Sequence, residues 1–337
     1  MRIFTFLVLE ALLSPITVAS YSLLTLWAIA ATRQQSLSMT ALVPLYCRWL
    51  LHLQGIRPDP ITHSLVNTVP SLNAQLNWGV IWPTLLAMNL SGYTPSVFNV
   101  PLPGKEDLSN MLNARTLFFD KTLVRAVEGG KAPVEQVVVL GAGFDSRLFK
   151  FCSKREISRF EVDQFSTQQV KIKALRKSNI EVDTVNFVAV DFNRRNWVED
   201  LVTAGFSSEK KTFFLWEGVT YYLTESAIKD CLRNIAKITA AESLVAFDFF
   251  SQQLITGEYD WWHKLGVQLL DWLNEPFQFG IDTTQDSQEK LSKLLEGTGF
   301  QVDTLQLMGH LKNQHAFGGL AIVKRERVSP YSVVAPA

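Results

Sequence analysis

The sequence predicts an α/β protein built on a doubly wound, mostly parallel seven-stranded sheet, preceded by an apolar helical N-terminal extension. Two observations predict the sheet: apolar, β-branched runs recur along the last two thirds of the chain, and helical stretches separate most of them. A third observation sets the extension apart. Of the 32 basic and 32 acidic side chains, only six lie in residues 1–104, so this region has a different environment from an ordinary soluble domain.

The elements of the sheet follow one another in a regular order. A helical stretch over 105–130 ends at two glycines, and the first strand follows it. The expected strands are 134–140, 157–163, 184–190, 212–216, 243–249, 300–307 and 316–323, and the helices between them are 165–177, 197–204, 224–239 and 287–296. A short segment, 309–314, joins the last two strands, so we expect the final strand to be antiparallel.

The extension begins with a long uncharged segment. The 22 residues 11–32, between Glu10 and Arg33, would as a helix just cross a hydrocarbon core of about 30 Å. Three interpretations are open: a membrane-spanning anchor, a cleaved targeting peptide with a cleavage-like Ala28-Ile29-Ala30, and a buried core helix. We favour the anchor, because the charge before the segment is weak for a targeting peptide and Glu10 interrupts the apolar run.

The rest of the extension has few charges but many polar residues. Residues 76–90 are short for a membrane span and fit either a segment at a membrane interface or a helix packed on the next domain. Residues 91–104, rich in Gly and Pro, read as a linker. The expected division is an N-terminal region 1–104, an α/β domain 105–325 with a lid insertion at 251–281, and a tail 326–337.

Charge and cysteine content limit the partners and the location. The net charge is zero, which argues against a nucleic-acid binder that uses a broad basic face. Cys47, Cys152 and Cys231 lie far apart, so we expect neither a disulfide framework nor a metal site. If the apolar segment spans a membrane, three arginines follow it and one precedes it, which puts the domain on the cytoplasmic side of that membrane.

Glycines and acids follow the predicted strands. Gly141 and Gly143 come directly after the first strand, where the backbone can approach a ligand closely at the start of a helix. Ser146 stands where the dinucleotide fingerprint has a third glycine, which weakens a pyrophosphate site. Asp163 ends the second strand, twenty residues after Gly143, where an acid can accept both hydroxyls of a ribose.

Two further strands end in the same way. The third leads into Asp191 and Phe192, a carboxylate for an adenine amine beside an aromatic face, and the fourth leads into Glu217. The carboxyl ends of these strands line one crevice in an open α/β sheet. Carboxylates for a ribose, an adenine and an amine, without a cradle for phosphates, predict S-adenosyl-L-methionine as the cofactor.

In these motifs the sequence resembles the leucine carboxyl methyltransferase-like superfamily, and within it the bacterial class I S-adenosylmethionine-dependent O-methyltransferases. The resemblance covers about residues 105–325 and implies the class I methyltransferase sheet. It rests on Arg115-Thr116 with Asp120, VVVLGAGFDSRLFKF (137–151), EVDQ (161–164) with Lys171, VDF (190–192) and WEGVTYYL (216–223). Two positions depart from it: Phe165 replaces the usual Pro, and Phe192 replaces the commoner Leu.

The resemblance also implies roles for single residues. Arg115 would pair with the methionyl carboxylate, Gly141 would contact the methionine moiety, Asp163 would hold the ribose, Asp191 and Phe192 the adenine, and Glu217 the amine. A guanidinium can clamp a carboxylate through two hydrogen bonds, which agrees with the role of Arg115. Asp145 and Arg147 are interpreted as organisers of the glycine loop.

The methyl acceptor is expected to be a small, apolar molecule with a carboxylate or a hydroxyl. An ionised carboxylate needs no general base, whereas a hydroxyl does, and the five scattered histidines of the chain offer no obvious one. Tyr222 is the candidate that orients the acceptor. The lid 251–281 is predicted to supply a hydrophobic pocket, or simply to pack on the sheet, through Tyr259, Trp261, Trp262, Leu265, Leu269, Leu270, Trp272, Phe277 and Phe279.

Two other classes of function remain open. One is a nucleotide-linked oxidoreductase, against which Ser146 and Glu217 count. The other is a non-catalytic methyltransferase-fold module used in membrane assembly. The leading interpretation is a membrane-associated O-methyltransferase, with lipid contacted through the N-terminal segment; the sequence does not predict an oligomeric state.

Overall fold

The architecture is that of a computed structural model of the 337-residue chain. The structure describes residues 1–35, 41–129, 133–153, 156–190, 197–257, 276–313 and 315–327.

Four helices precede the sheet: α1 (Arg2–Gln35), α2 (Leu42–Leu53), α3 (Pro60–Thr68) and α4 (Ala74–Ser91). Helix α1 extends beyond the predicted 11–32 at both ends, because an isolated charge such as Glu10 does not break a helix. The side chain of Asp59 caps α3 by accepting from the Thr62 N–H at 3.1 Å, and Asn73 caps α4 in the same way.

Helices α1 and α4 run antiparallel in contact over most of their length. Their contacts pair the beginning of one with the end of the other: Phe6 with Tyr93, Ser20 with Gly79, and Trp27 with Pro70. The helices are closest at Gly79, where a Cβ atom would lie 2.1 Å from Ser20 Oγ. The segment 76–90 is therefore a helix packed inside the protein fold, one of the two alternatives drawn from the sequence.

All seven predicted strands are present. They are β1 (Gln136–Leu140), β2 (Ser158–Asp163), β3 (Asn186–Ala189), β4 (Thr212–Trp216), β5 (Leu244–Ser251), β7 (Phe300–Met308) and β8 (Gly318–Arg325), and a two-residue strand, β6 (Gly280–Ile281), also pairs with β5. The order along the sheet is β3-β2-β1-β4-β5-β8-β7. Strand β8 is antiparallel to both its neighbours, as the short connection before it predicted, and the other described pairs are parallel.

Helices cover both faces of the sheet. They are α5 (Met111–Glu128), α6 (Arg147–Phe151), α7 (Phe165–Lys177), α8 (Trp197–Thr203), α9 (Glu225–Lys237), α10 (Gln252–Ile255) and α11 (Ser287–Leu295). Alternate residues of β1 face different cores: Val137 and Val139 pack with α5, α6 and α7, whereas Val138 and Leu140 pack with α8, α9 and α11. Burial of β1 on both faces explains why its sequence is a continuous apolar run.

The helices before residue 104 share the first of these cores. Trp49 of α2 and Leu65 of α3 are fully buried in the cluster that contains Val137 and Val139. Helices on both sides of residue 104 thus pack into one core, while the division of the chain at that residue stays a prediction. The linker proposed for 91–104 includes a single 3-10 turn, Ser96–Phe98.

One described helix is long and apolar enough to cross a membrane. It covers Arg2–Ala31 with a mean hydropathy of 1.9, and only 6% of its most apolar window is buried. This exposure does not fit the buried-core alternative. An anchor and a targeting peptide both fit a helix of this kind, so the helix by itself is weak support for membrane association.

Candidate active site

Three strand ends meet at one edge of the sheet. Strand β1 lies between β2 and β4, parallel to both, with Leu140 opposite Val162 in the register. Gly141, Asp163 and Glu217, which end or follow these three strands, therefore open onto the same crevice. The structure brings together these predicted residues.

The glycine loop after β1 has a backbone that only glycine adopts readily. Gly141 has a φ of +62° and Gly143 a φ of +47°. At Gly141 a Cβ atom would also lie 2.5 Å from Val219 Cγ2, so a side chain is excluded by contact as well as by conformation. The loop thus presents bare backbone to the crevice, as the sequence predicted.

Asp163 is tied to this loop. Its Oδ2 accepts from the Gly143 N–H at 2.5 Å and its Oδ1 accepts from the Gln164 N–H at 2.6 Å. Burial raises the pKa of Asp163, and the two N–H donors act against that rise. Each carboxylate oxygen retains a lone pair for a further donor, so Asp163 can still accept from hydroxyl groups in the crevice.

The side chain of Glu217 is only 4% exposed and lies among three guanidinium groups. Its Oε2 lies 2.5 Å from Arg147 Nη1 and 3.1 Å from Arg48 Nη2, and its Oε1 lies 3.0 Å from Arg115 Nε. Burial alone would raise the pKa of Glu217, but Arg147, Arg48 and Arg115 together lower it to about 2. Glu217 is therefore a carboxylate at neutral pH.

Arg115, from α5, connects Glu217 to a second acid. Its Nη1 lies 2.7 Å from Asp248 Oδ2 and 3.3 Å from the Tyr221 hydroxyl. The other oxygen of Asp248 accepts from the Gly218 N–H at 2.7 Å. Asp248 lies buried within β5, where no sequence motif distinguishes it from other strand residues.

Arg48, from α2, is a residue of the crevice that the motifs did not identify. Its Nη2 lies 3.1 Å from both Asp145 Oδ2 and Glu217 Oε2, and its side chain lines the cavity. In the sequence, Arg48 lies in the charge-poor extension and is one of the three arginines that follow the apolar segment. A basic residue in an otherwise apolar helix is the signal that could have drawn attention to it.

A second layer of ion pairs lies behind these residues. Arg147 Nε lies 2.6 Å from Asp120, and Asp120 also faces Arg57 Nε at 2.5 Å. Arg57 pairs with Asp59, which accepts from the hydroxyl of Ser146 at 2.6 Å. This layer joins α3 to the loop after β1, and with Asp145 accepting from the Arg147 N–H at 2.7 Å it agrees with the loop-organising roles inferred from the sequence.

The crevice encloses a cavity of about 350 Å³, within the range of small-ligand sites. Its walls are formed by Ala41, Pro44, Arg48, Arg115, Val139, Gly141, Ala142, Gly143, Phe144, Asp145, Asp163, Gln164, Thr167, Glu217, Gly218, Val219, Tyr221, Tyr222, Pro276 and Gln278. Tyr222 is half-buried on the wall, where its ring packs against Tyr221 and Phe277 with centroids 4.8 and 5.5 Å apart.

Some predicted site residues lie outside the described residues. These are Asp191 and Phe192, and most of the aromatic residues of the lid, from Tyr259 to Trp272. Phe279, at the end of the lid, is buried in the core on the far face of the sheet. Within the part of the chain that the structure describes, no group of three or more acidic, His or Cys side chains could hold a metal ion.

The strand order and its one antiparallel strand are those of the class I methyltransferase sheet, which confirms the fold class predicted from the sequence. Residues 93–236 match the model of a family described as leucine carboxyl methyltransferase. The matched residues include Arg115, Asp163 and Glu217, so the chain is similar to this family over the motifs from which the sequence resemblance was drawn.

The curated relatives have a consistent description. A putative S-adenosyl-L-methionine-dependent methyltransferase of Mycobacteroides abscessus is 31% identical over 199 residues, which are 58% of this chain and 64% of the relative. One from Streptomyces coelicolor is 34% identical over 142 residues, 42% of this chain and 49% of the relative. The chain thus spans about half to two thirds of these relatives, and their names give the same cofactor as the sequence prediction.

Solved structures of methyltransferases are also similar in fold. The magnesium protoporphyrin IX methyltransferase of Synechocystis, solved with bound SAH, is 10% identical, with 66% of this chain and 90% of that chain covered and a TM-score of 0.40. At this level the similarity adds no argument about the site.

Proposed function

We propose that the protein is an S-adenosylmethionine-dependent O-methyltransferase that acts on a small apolar acceptor. One observation carries the proposal: Arg115 Nε and Glu217 Oε1 are buried, 3.0 Å apart, and neither makes a hydrogen bond of acceptable geometry. These groups form an ion pair without a hydrogen bond, and such a pair in a crevice wall is suited to the zwitterionic end of the cofactor, whose carboxylate would approach Arg115 and whose ammonium would approach Glu217.

Several residues fit the remaining parts of the cofactor. Asp163 has free acceptor capacity for the ribose hydroxyls, and the bare backbone at Gly141 allows the methionine moiety to approach closely. Asp191 and Phe192 remain the residues proposed for the adenine, by the resemblance alone. The bound cofactor would supply a methyl group on a positively charged sulfur.

Arg48 adds a second cation to the amino-acid end of this site. Its Nε has no hydrogen-bond partner although the side chain is buried, and its Nη2 already contacts Glu217. We therefore assign the cofactor carboxylate to Arg115 and Arg48 together, since two guanidinium groups can satisfy both carboxylate oxygens.

The task of the chain in methyl transfer would be alignment of the acceptor and exclusion of water. Pro44, Tyr222 and Gln278 line the cavity beside the glycine loop, and Gln278 Nε2 donates to the Tyr222 carbonyl at 2.8 Å. This bond fixes the backbone that carries Tyr222, so that the tyrosine can orient an acceptor.

A carboxylate is the better-supported acceptor group. Among the described residues that line the cavity there is no histidine, and burial raises the pKa of Tyr221 far above neutrality. A hydroxyl acceptor would need a general base, whereas an ionised carboxylate needs none. The oxidoreductase alternative gains no support, because Ser146 uses its hydroxyl in a bond to Asp59.

We also propose that the protein is membrane-associated through α1, with the catalytic domain on the cytoplasmic side. The apolar, exposed helix supports association. The cytoplasmic side follows from the arginines after the apolar segment only for a helix that crosses the membrane, and two of these arginines, Arg48 and Arg57, are buried in ion pairs. Protease protection of tagged protein in inverted and right-side-out vesicles tests the side.

Transfer of a labelled methyl group tests the proposed reaction. The full-length protein is incubated with methyl-labelled S-adenosylmethionine and a series of apolar carboxylic acids, each matched by the alcohol of equal chain length. We expect label in the ester of at least one acid and little in the ethers. Cofactor binding without label in any acid or alcohol would support the non-catalytic module instead.

A further inference from the structure

Helix α1 has two distinct faces, although its sequence is apolar all round. The less exposed positions are 6, 9, 10, 13, 14, 17, 20, 24, 25, 28 and 31, and seven of them, from 6 through 10, 13, 17, 20 and 24 to 28, follow one another at intervals of three or four residues. This spacing defines one side of a helix. It is the side that meets α4, since it includes Phe6 against Tyr93 and Ser20 against Gly79.

The opposite side of α1 is apolar and exposed along its whole length. Its side chains include Val8, Leu12, Ala19, Leu26 and Ile29, and Leu12 and Leu26 are 72% and 66% exposed. No charged residue lies between Glu10 and Arg33. Soluble proteins rarely expose an apolar surface of this extent unless something covers it.

The partner of α1 prevents it from crossing a membrane alone. On its other side α4 packs into the core of the domain, where Ile81 is 5% exposed and Trp78 makes an edge contact with Trp49, ring centroids 5.6 Å apart. If α1 spanned a bilayer, α4 and the adjoining α2 would have to enter the hydrocarbon with it. Helix α2 carries Arg48 into the ion pairs of the crevice, and burying such a helix in lipid would be costly.

We propose that α1 lies in the plane of a lipid bilayer, its exposed face among the acyl chains and its other face on α4. The occupant is lipid because a protein partner would require a polar rim with hydrogen-bonding groups, whereas the exposed residues described between Glu10 and Arg33 are uncharged and only Tyr21 and Ser22 among them carry a hydroxyl. At about 1.5 Å per residue, the 34-residue helix offers a strip about 50 Å long. Since this face carries no basic side chains, binding should not depend on anionic lipid.

This position has a consequence for the acceptor, which rests on the proposed function. Gln35 ends α1, and Ala41, six residues later, lines the cavity together with Pro44. Six residues span at most about 22 Å. The cavity wall at Ala41 therefore lies within about 22 Å of the end of the docked helix, a distance that would let an apolar acid reach the cavity from the lipid surface.

Vesicle flotation tests the docking. The full-length protein should float with phosphatidylcholine vesicles, and equally with phosphatidylcholine–phosphatidylglycerol vesicles. A variant with Leu12→Glu and Leu26→Glu should lose binding by about tenfold or more while keeping its affinity for S-adenosylmethionine. The matched control is Val202→Glu, a similar change at an exposed apolar residue of α8, which should float like the unchanged protein.

Spin labels at Leu12→Cys, Ala19→Cys and Leu26→Cys separate an in-plane helix from a span. These positions lie seven residues apart on the exposed face, about 10 Å from one to the next. An in-plane helix places all three labels at one depth, whereas a span places the middle label deepest. A span-like profile, failure to float, or a protein dimer that the Leu12→Glu and Leu26→Glu variant dissociates would each overturn the proposal. Docking without cofactor binding would refute the proposed function alone.

Discussion

The charge of Glu217 organises the crevice at the scale of single residues. Three guanidinium groups surround this carboxylate, yet Arg48 Nε, Arg115 Nε and Glu217 Oε1 lack hydrogen-bond partners in the described structure. Buried charges that are only partly satisfied are costly. A ligand that brings both a carboxylate and an ammonium would reduce that cost, which supports the proposal that the crevice binds the amino-acid end of the cofactor.

Arg48→Ala should weaken binding of the amino-acid end of the cofactor but not binding of its nucleoside end. Loss of a charged hydrogen bond, worth about 1.5–3 kcal/mol, should lower the affinity for S-adenosylmethionine by about 10- to 100-fold. Methylthioadenosine, which has the nucleoside but no amino-acid end, should bind the variant and the unchanged protein equally. Calorimetry with both ligands measures this, and Arg233→Ala, at an exposed arginine of α9, is the control. Equal weakening of both ligands would contradict the assigned role.

The residues that the sequence predicted are those at strand ends. Asp163 and Glu217 could be predicted because the end of a parallel strand is visible as the end of an apolar run. Arg48 and Asp248 could not, because one lies in a helix far away along the chain and the other lies inside a strand. Only the folded chain brings them to the crevice.

At the scale of elements, Asp59 connects α3 to the glycine loop. It caps α3 through the Thr62 N–H, accepts from the Ser146 hydroxyl, and pairs with Arg57. Burial alone would raise the pKa of Asp59, but Arg57, Ser146 and Thr62 lower it below its ordinary value. Because the pKa of Asp59 is lower in the folded protein than in the unfolded chain, ionised Asp59 stabilises the fold at neutral pH. This stabilisation is lost as the pH falls through the folded-state pKa.

Asp59→Asn should therefore destabilise the protein in a pH-dependent way. The buried Arg57 keeps Asp120 but loses the charge of Asp59, which should cost about 1.5–3 kcal/mol at neutral pH, and the difference in stability from the unchanged protein should narrow below about pH 4. Urea unfolding across pH measures both effects. Asp230→Asn, in an exposed pair with Arg233, should change stability by less than about 0.5 kcal/mol. A constant gap down to acid pH would exclude the ionic role of Asp59.

The elements themselves were predictable to different degrees. The strands were, because strands buried on both faces are apolar without interruption. In the extension, the sequence predicted α1 over 11–32 and offered a packed helix over 76–90, where α4 lies, but it did not predict α2 or α3, because few charged residues mark the faces and ends of these helices. The packing of α1 on α4 depends on small residues such as Gly79 against Ser20, a contact between residues 59 positions apart in sequence that periodicity does not reveal.

At the scale of the whole molecule, the extension and the sheet act together. Helix α2 lines the crevice through Pro44 and Arg48, and α2 and α3 share a core with β1, while α1 lies outside them along α4. The charge-poor part of the chain thus has two proposed roles: α2 contributes Arg48 to the proposed cofactor site, and α1 provides the proposed lipid surface. Composition alone does not distinguish residues 41–69 from α1, because both segments contain few charged residues.

Calorimetry of the full-length protein with S-adenosylmethionine and, separately, with NAD tests the central claim most directly. We expect micromolar binding of S-adenosylmethionine and no binding of NAD. Asp163→Ala removes the acceptors for the ribose and should lower the affinity for S-adenosylmethionine by about tenfold or more. The unfolding temperature of that variant verifies that it is folded. Binding of NAD without S-adenosylmethionine, or unchanged affinity in folded Asp163→Ala, would contradict the account.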